Sequence, residues 1–328
     1  MKLSILDQSP ISEQMTAKDA LDATIELAIE AEKLNYERFW IAEHHDLFGL
    51  ACSNPSVLIS AIGAKTKQIK LGAGAVLLPY YQPFSVAETY NLLETMYPGR
   101  IDLGLGRAPG GPAEVSLALV ENYLKEVRQF PEKIDELLCF LQDNFPAGHL
   151  YQKVSPTPIP QTKPRPYLLG TSEKSAILAA EKGLLYAFGD FMTEGDGPSV
   201  VRTYRENYQG KDKPYVIVAV EVICAETKEE AERLALSSIA WKINQNDIES
   251  KQYVLLEEEA ERVVLANPKQ AEQIRRKMIV GDKIHVYEEL SRIKEMYQAD
   301  EFMIVTIVND PKKKMTSYRL LKESMDAK

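Results

Sequence analysis

The sequence predicts an α/β fold, a closed (β/α)8 barrel with insertions. Two observations support this fold class: short apolar runs alternate with segments of helical periodicity over all 328 residues, and eight such pairs can be counted. Eight units favour closure of a parallel sheet into one barrel, so we expect a single domain over residues 1–328. The predicted strands are residues 3–7, 39–42, 69–78, 101–105, 167–170, 184–188, 215–224 and 301–308.

Helix signals follow these apolar runs. After the first strand, Thr16 and Asp19 have the spacing of a capping box, and the apolar residues behind them form one stripe at helical spacing. Pro98 and Gly99 end the third helix. The predicted helices after the first are residues 55–64, 86–96, 131–142, 173–182, 199–208 and 228–240, and a tail helix from about Pro311.

Two segments interrupt the alternation. Residues 144–166 contain six prolines, which predicts a long extended loop. Residues 241–282 are rich in Glu, Gln, Lys and Arg with helical periodicity, and we interpret them as a helical insertion. Both segments either decorate the barrel or wall an active site, because barrel sites are built from loops that follow the strands.

Composition and charge narrow the function classes. A net charge of −9 and a pI near 5.2 argue against nucleic acid or an anionic membrane as the main partner. Cys52, Cys139 and Cys224 lack CxxC spacing, which is typical of a reducing cytosol and not of a disulfide framework or a zinc site. No export signal and no run of 18 apolar residues is visible, so we expect a cytoplasmic protein without a membrane span.

The segment "GLGRAPGG", residues 104–111, follows the fourth strand. A dinucleotide-binding fingerprint needs G-x-G-x-x-G, but Pro109 stands at the position of the third glycine. The segment is either a flexible loop at the barrel top or a ligand loop. In the second interpretation its glycines permit close approach, and Arg107 binds an anion such as phosphate.

The segment "LLGTSEKSA", residues 168–176, runs from a strand through Gly170, Thr171 and Ser172 into a helix. Unpaired backbone N–H groups at the helix start, with two hydroxyls beside them, can bind an anion. The simpler interpretation is that Ser172 only caps the helix. No G-x-x-x-x-G-K-[ST] motif is present, so an NTPase is unsupported.

The glycine-rich strand "GAGAVLLP", residues 72–79, is unusual because glycine weakens strands. The glycines indicate a bulge or a tight packing point, or a flat ligand that lies directly against the backbone.

The segment "WIAEHH", residues 40–45, places two of the four histidines at the end of a buried strand. Adjacent strand residues point to opposite faces, so we expect only one of His44 and His45 to serve a site. A metal site is disfavoured, since neither H-E-x-x-H nor H-x-H occurs and there is no cysteine ligand nearby.

Taken together, these segments resemble the bacterial luciferase-like monooxygenase family. The resemblance rests on "FWIAEHH", "TKQIKLGAGAVLLPYYQP", "PGRIDLGLGRAPGG" and "LLGTSEKSAILAAEKGL" in this order, and on the tail "ADEFMIVTIVNDPKKKMTSYRLL". It runs through nearly the whole chain, and it implies the same barrel that the alternation predicts.

The resemblance implies a flavin site at the carboxyl ends of the strands. The ring lies against the "GAGA" strand, where relatives carry a non-prolyl cis peptide, for which Gly74–Ala75 is the candidate. Arg107 and the turn of Gly170, Thr171 and Ser172 hold the FMN phosphate. His44 matches the histidine near the ring, a general base or hydrogen-bond partner expected to titrate near neutrality. His45 is a structural donor, and Glu43 orients it.

The implied reaction uses O2 and reduced FMN from a separate NAD(P)H-dependent flavin reductase. It proceeds through a flavin C4a-(hydro)peroxide that transfers one oxygen atom to a small organic substrate. By the same resemblance, residues 241–282 form a mobile lid and the protein is a homodimer. Substrate specificity is expected near Phe48, Tyr80, Tyr81 and this lid.

One departure from the family limits the analogy. Luciferase catalytic subunits carry a reactive cysteine just before the loop arginine, and Gly106 stands there in this sequence. Oxidation of long-chain aldehydes with light emission is therefore not implied. The alternatives are hydride transfer with the deazaflavin F420, a non-catalytic flavin-binding protein, and a metal-dependent barrel hydrolase.

Overall fold

The structure is a computed structural model that describes residues 1–245 and 253–326. In these residues nine parallel strands form a single sheet. The strands are β1 (Leu3–Asp7), β2 (Arg38–Ile41), β3 (Lys70–Leu77), β4 (Ile101–Gly106), β5 (Arg165–Gly170), β6 (Leu185–Gly189), β7 (Val216–Cys224), β8 (Met278–Gly281) and β9 (Glu301–Val305).

Eight of these strands close into a ring, which confirms the predicted barrel. Neighbouring strands run from β1 in order to β7, and β7 pairs with β9, which pairs with β1. Strand β8, which pairs with the end of β7, was not predicted from the sequence. Its four residues lie in the charged segment that was interpreted as wholly helical.

Helices surround the ring, and the predicted capping box of the first helix is present. The Thr16 hydroxyl accepts a hydrogen bond from the Asp19 N–H at 3.2 Å, and the Asp19 carboxylate accepts one from the Thr16 N–H at 2.9 Å. No helix in the described residues is long and apolar enough to cross a membrane. The helices are α1 (Ala17–Lys33), α2 (Pro55–Gly63), α3 (Pro83–Met96), α4 (Ala113–Leu119), α5 (Tyr123–Arg128), α6 (Phe130–Gln142), α7 (Glu173–Glu181), α8 (Gly197–Asn207), α9 (Lys228–Asn244), α10 (Glu257–Ala266), α11 (Pro268–Arg275), α12 (Lys283–Tyr297) and α13 (Pro311–Asp326).

The inserted segment begins earlier than predicted. Residues 228–240 were expected to be the barrel helix that precedes the last strand, and this is wrong. They belong to α9, which packs with α10, α11 and β8 in a cluster of its own. Helix α12 takes the expected place, because it packs against α8 and α13 in the ring and buries one apolar stripe. Residues 246–252 of the predicted insertion lie outside the described residues.

Alternate residues of each strand point into the barrel, as the pleat requires. In β2, Phe39 and Ile41 pack in the layer between strands and helices. Trp40 points inward and packs in the interior cluster with Tyr167 and Met303. These apolar side chains form the floor of any ligand cavity at the carboxyl ends of the strands.

A charged network fills the amino end of the interior. The Arg38 guanidinium donates to Asp102 at 2.7 Å and to both oxygens of Glu301 at 2.6 and 3.0 Å. Arg38 and Asp102 are each 2% exposed, and Glu301 is 1% exposed. Burial opposes ionisation of Glu301, but the charge of Arg38 and hydrogen bonds from Arg38, Ser4 and Tyr215 lower its pKa. The network therefore closes the barrel opposite the cavity.

Candidate active site

One large cavity opens at the carboxyl ends of the strands, with a volume of about 860 Å³. Small-molecule pockets usually measure about 300–1,000 Å³, so this is a suitable size for a cofactor and substrate. The structure brings together at this cavity every residue that the sequence analysis named for catalysis or cofactor binding. They are His44, Gly74, Ala75, Arg107, Gly170, Thr171 and Ser172.

His44 continues the inward-facing row of Trp40 and Ala42 at the end of β2. Its Nδ1 atom is buried and has no hydrogen-bond partner among the described residues. Burial, with a smaller effect of His45, lowers the pKa of His44 from 6.5 to about 4. The expected titration near neutrality is therefore wrong, because the protein surroundings disfavour the imidazolium. At pH 7 the neutral ring offers one donor and one acceptor.

His45 belongs to the wall behind the cavity. Its Nε2 lies 2.9 Å from Oε1 of the buried Glu43, which also accepts a hydrogen bond from the Tyr81 hydroxyl at 2.7 Å. The ring of His45 packs edge-on against Tyr80. This geometry agrees with the expected difference between the two histidines, since His44 lines the cavity and Glu43 orients His45.

The glycine-rich strand β3 passes under the cavity. The peptide bond between Gly74 and Ala75 is cis, as the resemblance implies. A Cβ atom on Gly74 would stand 2.8 Å from the Leu6 side chain and 3.1 Å from that of Trp40, so the strand packs closely against both side chains at this point. A register shift between β3 and β4 falls at the same point. Gly74 thus lies at a closely packed point of the strand, and both Gly74 and Ala75 line the cavity.

The loop after β4 carries Arg107 into the cavity. The side chain of Arg107 makes no hydrogen bond or ion pair with any residue that the structure describes. Hydrogen bonds fix the loop, among them those from the His45 N–H to the Gly110 carbonyl at 2.8 Å and from the Tyr80 hydroxyl to the Pro109 carbonyl at 2.6 Å. A cation is therefore held at the cavity by an ordered loop without a protein counter-charge.

The turn from β5 into α7 forms the adjacent wall. The Ser172 hydroxyl accepts from the Ser175 N–H at 3.4 Å, so the capping interpretation is confirmed. Gly170 is needed for close approach, because a Cβ atom there would lie 2.1 Å from Ser175 Oγ. Capping does not exclude anion binding, since the positive end of the α7 dipole remains at the wall beside Thr171 and Lys174.

The lining residues that were not identified from the sequence include Gln8, Glu221, Trp241 and Lys242. Glu221 interrupts the apolar run of β7, and a single carboxylate in such a run indicates an interior site. It accepts from the Ser238 hydroxyl and pairs with Lys242. Gln8 follows directly after β1 at the carboxyl end, where polar residues of a barrel face the site.

Of the two segments that were expected to form walls of the site, the helical insertion lines the cavity and the proline-rich loop does not. Helix α11 of the insertion lines it through Gln270, Gln273 and Ile274. No described residue of the proline-rich loop 144–166 does, so the interpretation of that loop as a wall is wrong. The loop precedes β5 and therefore emerges at the amino ends of the strands, opposite the site.

Phe48, Tyr80 and Tyr81 were expected near the substrate, but none of the three lines the cavity in the described part of the chain. Phe48 is 71% exposed to solvent. Tyr80 and Tyr81 instead form hydrogen bonds that support the Arg107 loop and Glu43.

Comparison with known proteins identifies the family. The family model described as luciferase-like monooxygenase matches residues 1–299, so the chain belongs to this family. The uncharacterized protein YwcH of Bacillus subtilis (strain 168) is 42% identical over 334 residues, which cover 99% of this chain and 99% of the relative. N-acetyl-S-alkylcysteine monooxygenase of the same strain is 39% identical over 331 residues, which cover 99% of this chain and 98% of the relative.

Solved structures share the fold. Apo-MsnO8 has a TM-score of 0.92 at 32% identity, over 100% of this chain and 99% of its own. The oxygenating constituent of 3,6-diketocamphane monooxygenase from Pseudomonas putida, in complex with FMN, has a TM-score of 0.71 at 19% identity, over 99% and 97% of the two chains. An F420-dependent secondary alcohol dehydrogenase has a TM-score of 0.72 at 18% identity, over 99% and 98%. The last two likenesses concern the fold alone.

Proposed function

We propose that the protein is a monooxygenase that uses O2 and reduced FMN, delivered by a separate NAD(P)H-dependent flavin reductase, to oxidise a small organic molecule. The observation that carries this proposal is one cavity that holds Arg107, which has no side-chain partner among the described residues, together with the start of α7, His44 and the Gly74–Ala75 strand. Membership of the luciferase-like monooxygenase family supports the reaction class. The FMN complex of a fold relative supports the choice of cofactor.

The residues present fit the phosphate of FMN. Arg107 offers a guanidinium without a protein partner in the described residues, and arginine binds phosphate through paired N–H donors. Thr171 and Ser172 add hydroxyls at a helix start, and Lys174 adds a second cation. Two cations and a helix start together match the charge of a dianion.

Bound reduced FMN supplies the two electrons with which one atom of O2 enters the substrate while the other leaves as water. The chain's own residues prepare this reaction. The backbone at Gly74 and Ala75 supports the ring, and the neutral His44 donates or accepts a hydrogen bond beside it. Leu6 and Trp40 give the floor its apolar surface and exclude water. Helix α11 and the end of α9 are the lid of the site.

The proposal is tested by anaerobic titration with reduced FMN and, in parallel, with reduced riboflavin, which lacks the phosphate. We expect the wild type to bind reduced FMN, and Arg107→Ala to weaken that binding about 10- to 100-fold, the loss typical of one charge-assisted hydrogen bond. Riboflavin binding should be unchanged by Arg107→Ala. His44→Ala should leave the difference in affinity between reduced FMN and reduced riboflavin unchanged, so this variant is the matched control.

A subsequent air pulse distinguishes the remaining functions. A monooxygenase consumes O2 with reduced FMN and a substrate, whereas a non-catalytic flavin protein binds FMN without oxidising a substrate. If reduced FMN does not bind, the proposal fails, and F420-dependent hydride transfer, the activity of a fold relative, becomes the leading candidate. The relative that acts on N-acetyl-S-alkylcysteines makes N-acylated thioethers the first compounds for substrate screening.

A further inference from the structure

The wall formed by β1, β9 and β7 faces the Arg107 side across the barrel. In the ring of eight strands, β9 stands four strands away from β4, and β1 stands four strands away from β5. Arg107 follows β4, and Thr171 follows β5. A cofactor phosphate at those two strand ends therefore leaves the far wall for the substrate.

Gln8 presents an unpaired acceptor on this far wall. Leu6 pairs with Trp40, and the Ala42 N–H bonds to the Asp7 carbonyl at 3.0 Å, so the ladder brings Gln8 to the interior beside Ala42. The Gln8 Oε1 atom is buried and has no hydrogen-bond partner among the described residues. A buried acceptor without a donor is unfavourable, and a ligand N–H group relieves this.

Lys242 presents unused donors on the same wall. Its ammonium group pairs with Glu221, whose other carboxylate oxygen accepts from Ser238. Within the described residues this carboxylate is the one partner of Lys242, and an ammonium has three N–H donors. Because Glu221 is 1% exposed and neutralises Lys242, the wall offers a donor without a net charge.

The surface between these polar groups is apolar. Trp241, Val305 and Ile307 line the cavity and pack in one cluster. Trp241 belongs to α9, so the inserted segment contributes to this surface. A ligand here meets one acceptor, one donor and a hydrophobic patch.

We infer that this wall is the substrate subsite and that it takes a neutral molecule with a secondary amide and an apolar arm. The amide N–H donates to Gln8 Oε1, the amide carbonyl accepts from Lys242, and the arm packs against Trp241. A charged group gains little here, because Glu221 already balances Lys242. The inference rests on the proposed function, since it assigns the opposite end of the cavity to FMN.

Tryptophan fluorescence measures binding in the cavity, and the comparison with Gln8 variants assigns that binding to this wall. The chain has two tryptophans, Trp40 and Trp241, and both line the cavity. The probes are N-benzylacetamide, which has the amide N–H, and benzyl acetate, the ester that lacks it. We expect the amide to bind the wild type about 10-fold more tightly than the ester, the effect of one hydrogen bond to a buried acceptor.

Gln8→Met keeps the length of the side chain and removes the acceptor, so it should abolish the preference for the amide. Gln129→Leu alters an exposed glutamine outside the cavity and should retain the preference. Equal binding of both probes by the wild type, or a preference that persists in Gln8→Met, overturns the inference. If Gln8→Met does not fold, Gln8→Leu takes its place in the same comparison.

Titration of the same variants with reduced FMN separates this inference from the proposed function. Gln8→Met should bind reduced FMN and reduced riboflavin as the wild type does. If Gln8→Met weakens both flavins, Gln8 contacts the cofactor and the inference is wrong. If the wild type binds no reduced FMN, the proposed function fails, while the amide preference is still decided by the fluorescence data.

Discussion

The buried charge network at the amino end of the barrel makes a strong prediction about stability. Arg38 on β2 donates hydrogen bonds to Asp102 on β4 and Glu301 on β9, and these three strands are far apart in the sequence. All three side chains are at most 2% exposed, so water cannot replace a lost partner. Arg38→Met keeps much of the side-chain volume but leaves two buried carboxylates without their counter-charge.

The expected loss of unfolding free energy is about 3–5 kcal/mol, the usual cost of removing one partner from a buried ion pair. Domains have a total stability of about 5–15 kcal/mol, so this is a large fraction. An unfolding entropy of about 2.1 cal/mol/K per residue gives roughly 0.7 kcal/mol/K for the 328 residues of this chain, so this loss corresponds to a decrease in Tm of roughly 4–7 °C. Both Asp102 and Glu301 contribute, because each loses its only cationic partner among the described residues.

Urea denaturation and thermal unfolding, both followed by circular dichroism at pH 7, measure this loss. The matched control is Lys18→Ala, which removes the pair with Asp22 in which the side chains are 80% and 52% exposed. Such a surface pair contributes at most about 1 kcal/mol. The triple variant Arg38→Met, Asp102→Asn, Glu301→Gln should recover part of the stability, because it removes the buried charges as well. A loss in Arg38→Met no larger than in the control would refute the reasoning.

Three further predictions concern the cavity. The pKa of His44 is about 4 in the folded protein and 6.5 in the unfolded chain, so the unfolded chain binds the proton first. The free energy of unfolding therefore falls as the pH drops from about 6.5 to 4. Urea denaturation at a series of pH values should show that His44→Gln loses this part of the pH dependence. His45→Ala removes the contact with Tyr80 that supports the Arg107 loop, and we expect a 3- to 10-fold weaker binding of reduced FMN but not of riboflavin in equilibrium titrations. Gly170→Ala forces Ser175 aside and should cost about 1–3 kcal/mol of stability by urea denaturation, together with weaker FMN binding.

Most of the fold could be predicted from local sequence patterns. Period-two runs and capping signals depend on neighbouring residues, so the strands of the ring and the capping box at Thr16 followed from the sequence. The place of α9 did not, because its charged, periodic sequence fits a barrel helix as well as an insertion. Only packing distinguishes the two, and α9 packs on α10 and β8. Strand β8 follows helix α11 closely within the charged, periodic segment, so its four residues were interpreted as part of the helical insertion.

The site was predictable where a motif fixes the backbone. Arg107 and Ser172 stand at strand ends whose glycines and hydroxyls mark a turn, and both line the cavity. The pKa of His44 was not predictable, because it depends on burial by residues from other strands. That Phe48 and Tyr80 do not line the cavity was not predictable either, because the direction of a loop side chain is set by contacts that sequence spacing does not encode.

The proposed phosphate side and the proposed substrate wall of the cavity need different kinds of residues. The phosphate side is therefore easier to predict from the sequence than the substrate wall. A phosphate needs positive charge and backbone N–H groups, which a few sequence motifs supply. A substrate wall needs to be complementary to one particular molecule. Single side chains such as Gln8 and Lys242, which come from distant parts of the sequence, provide this complementarity. Chains that keep the first side and alter the second would retain the cofactor and change the substrate. Exchange of Gln8 and Lys242 between relatives is therefore the most direct route to altered specificity in this barrel.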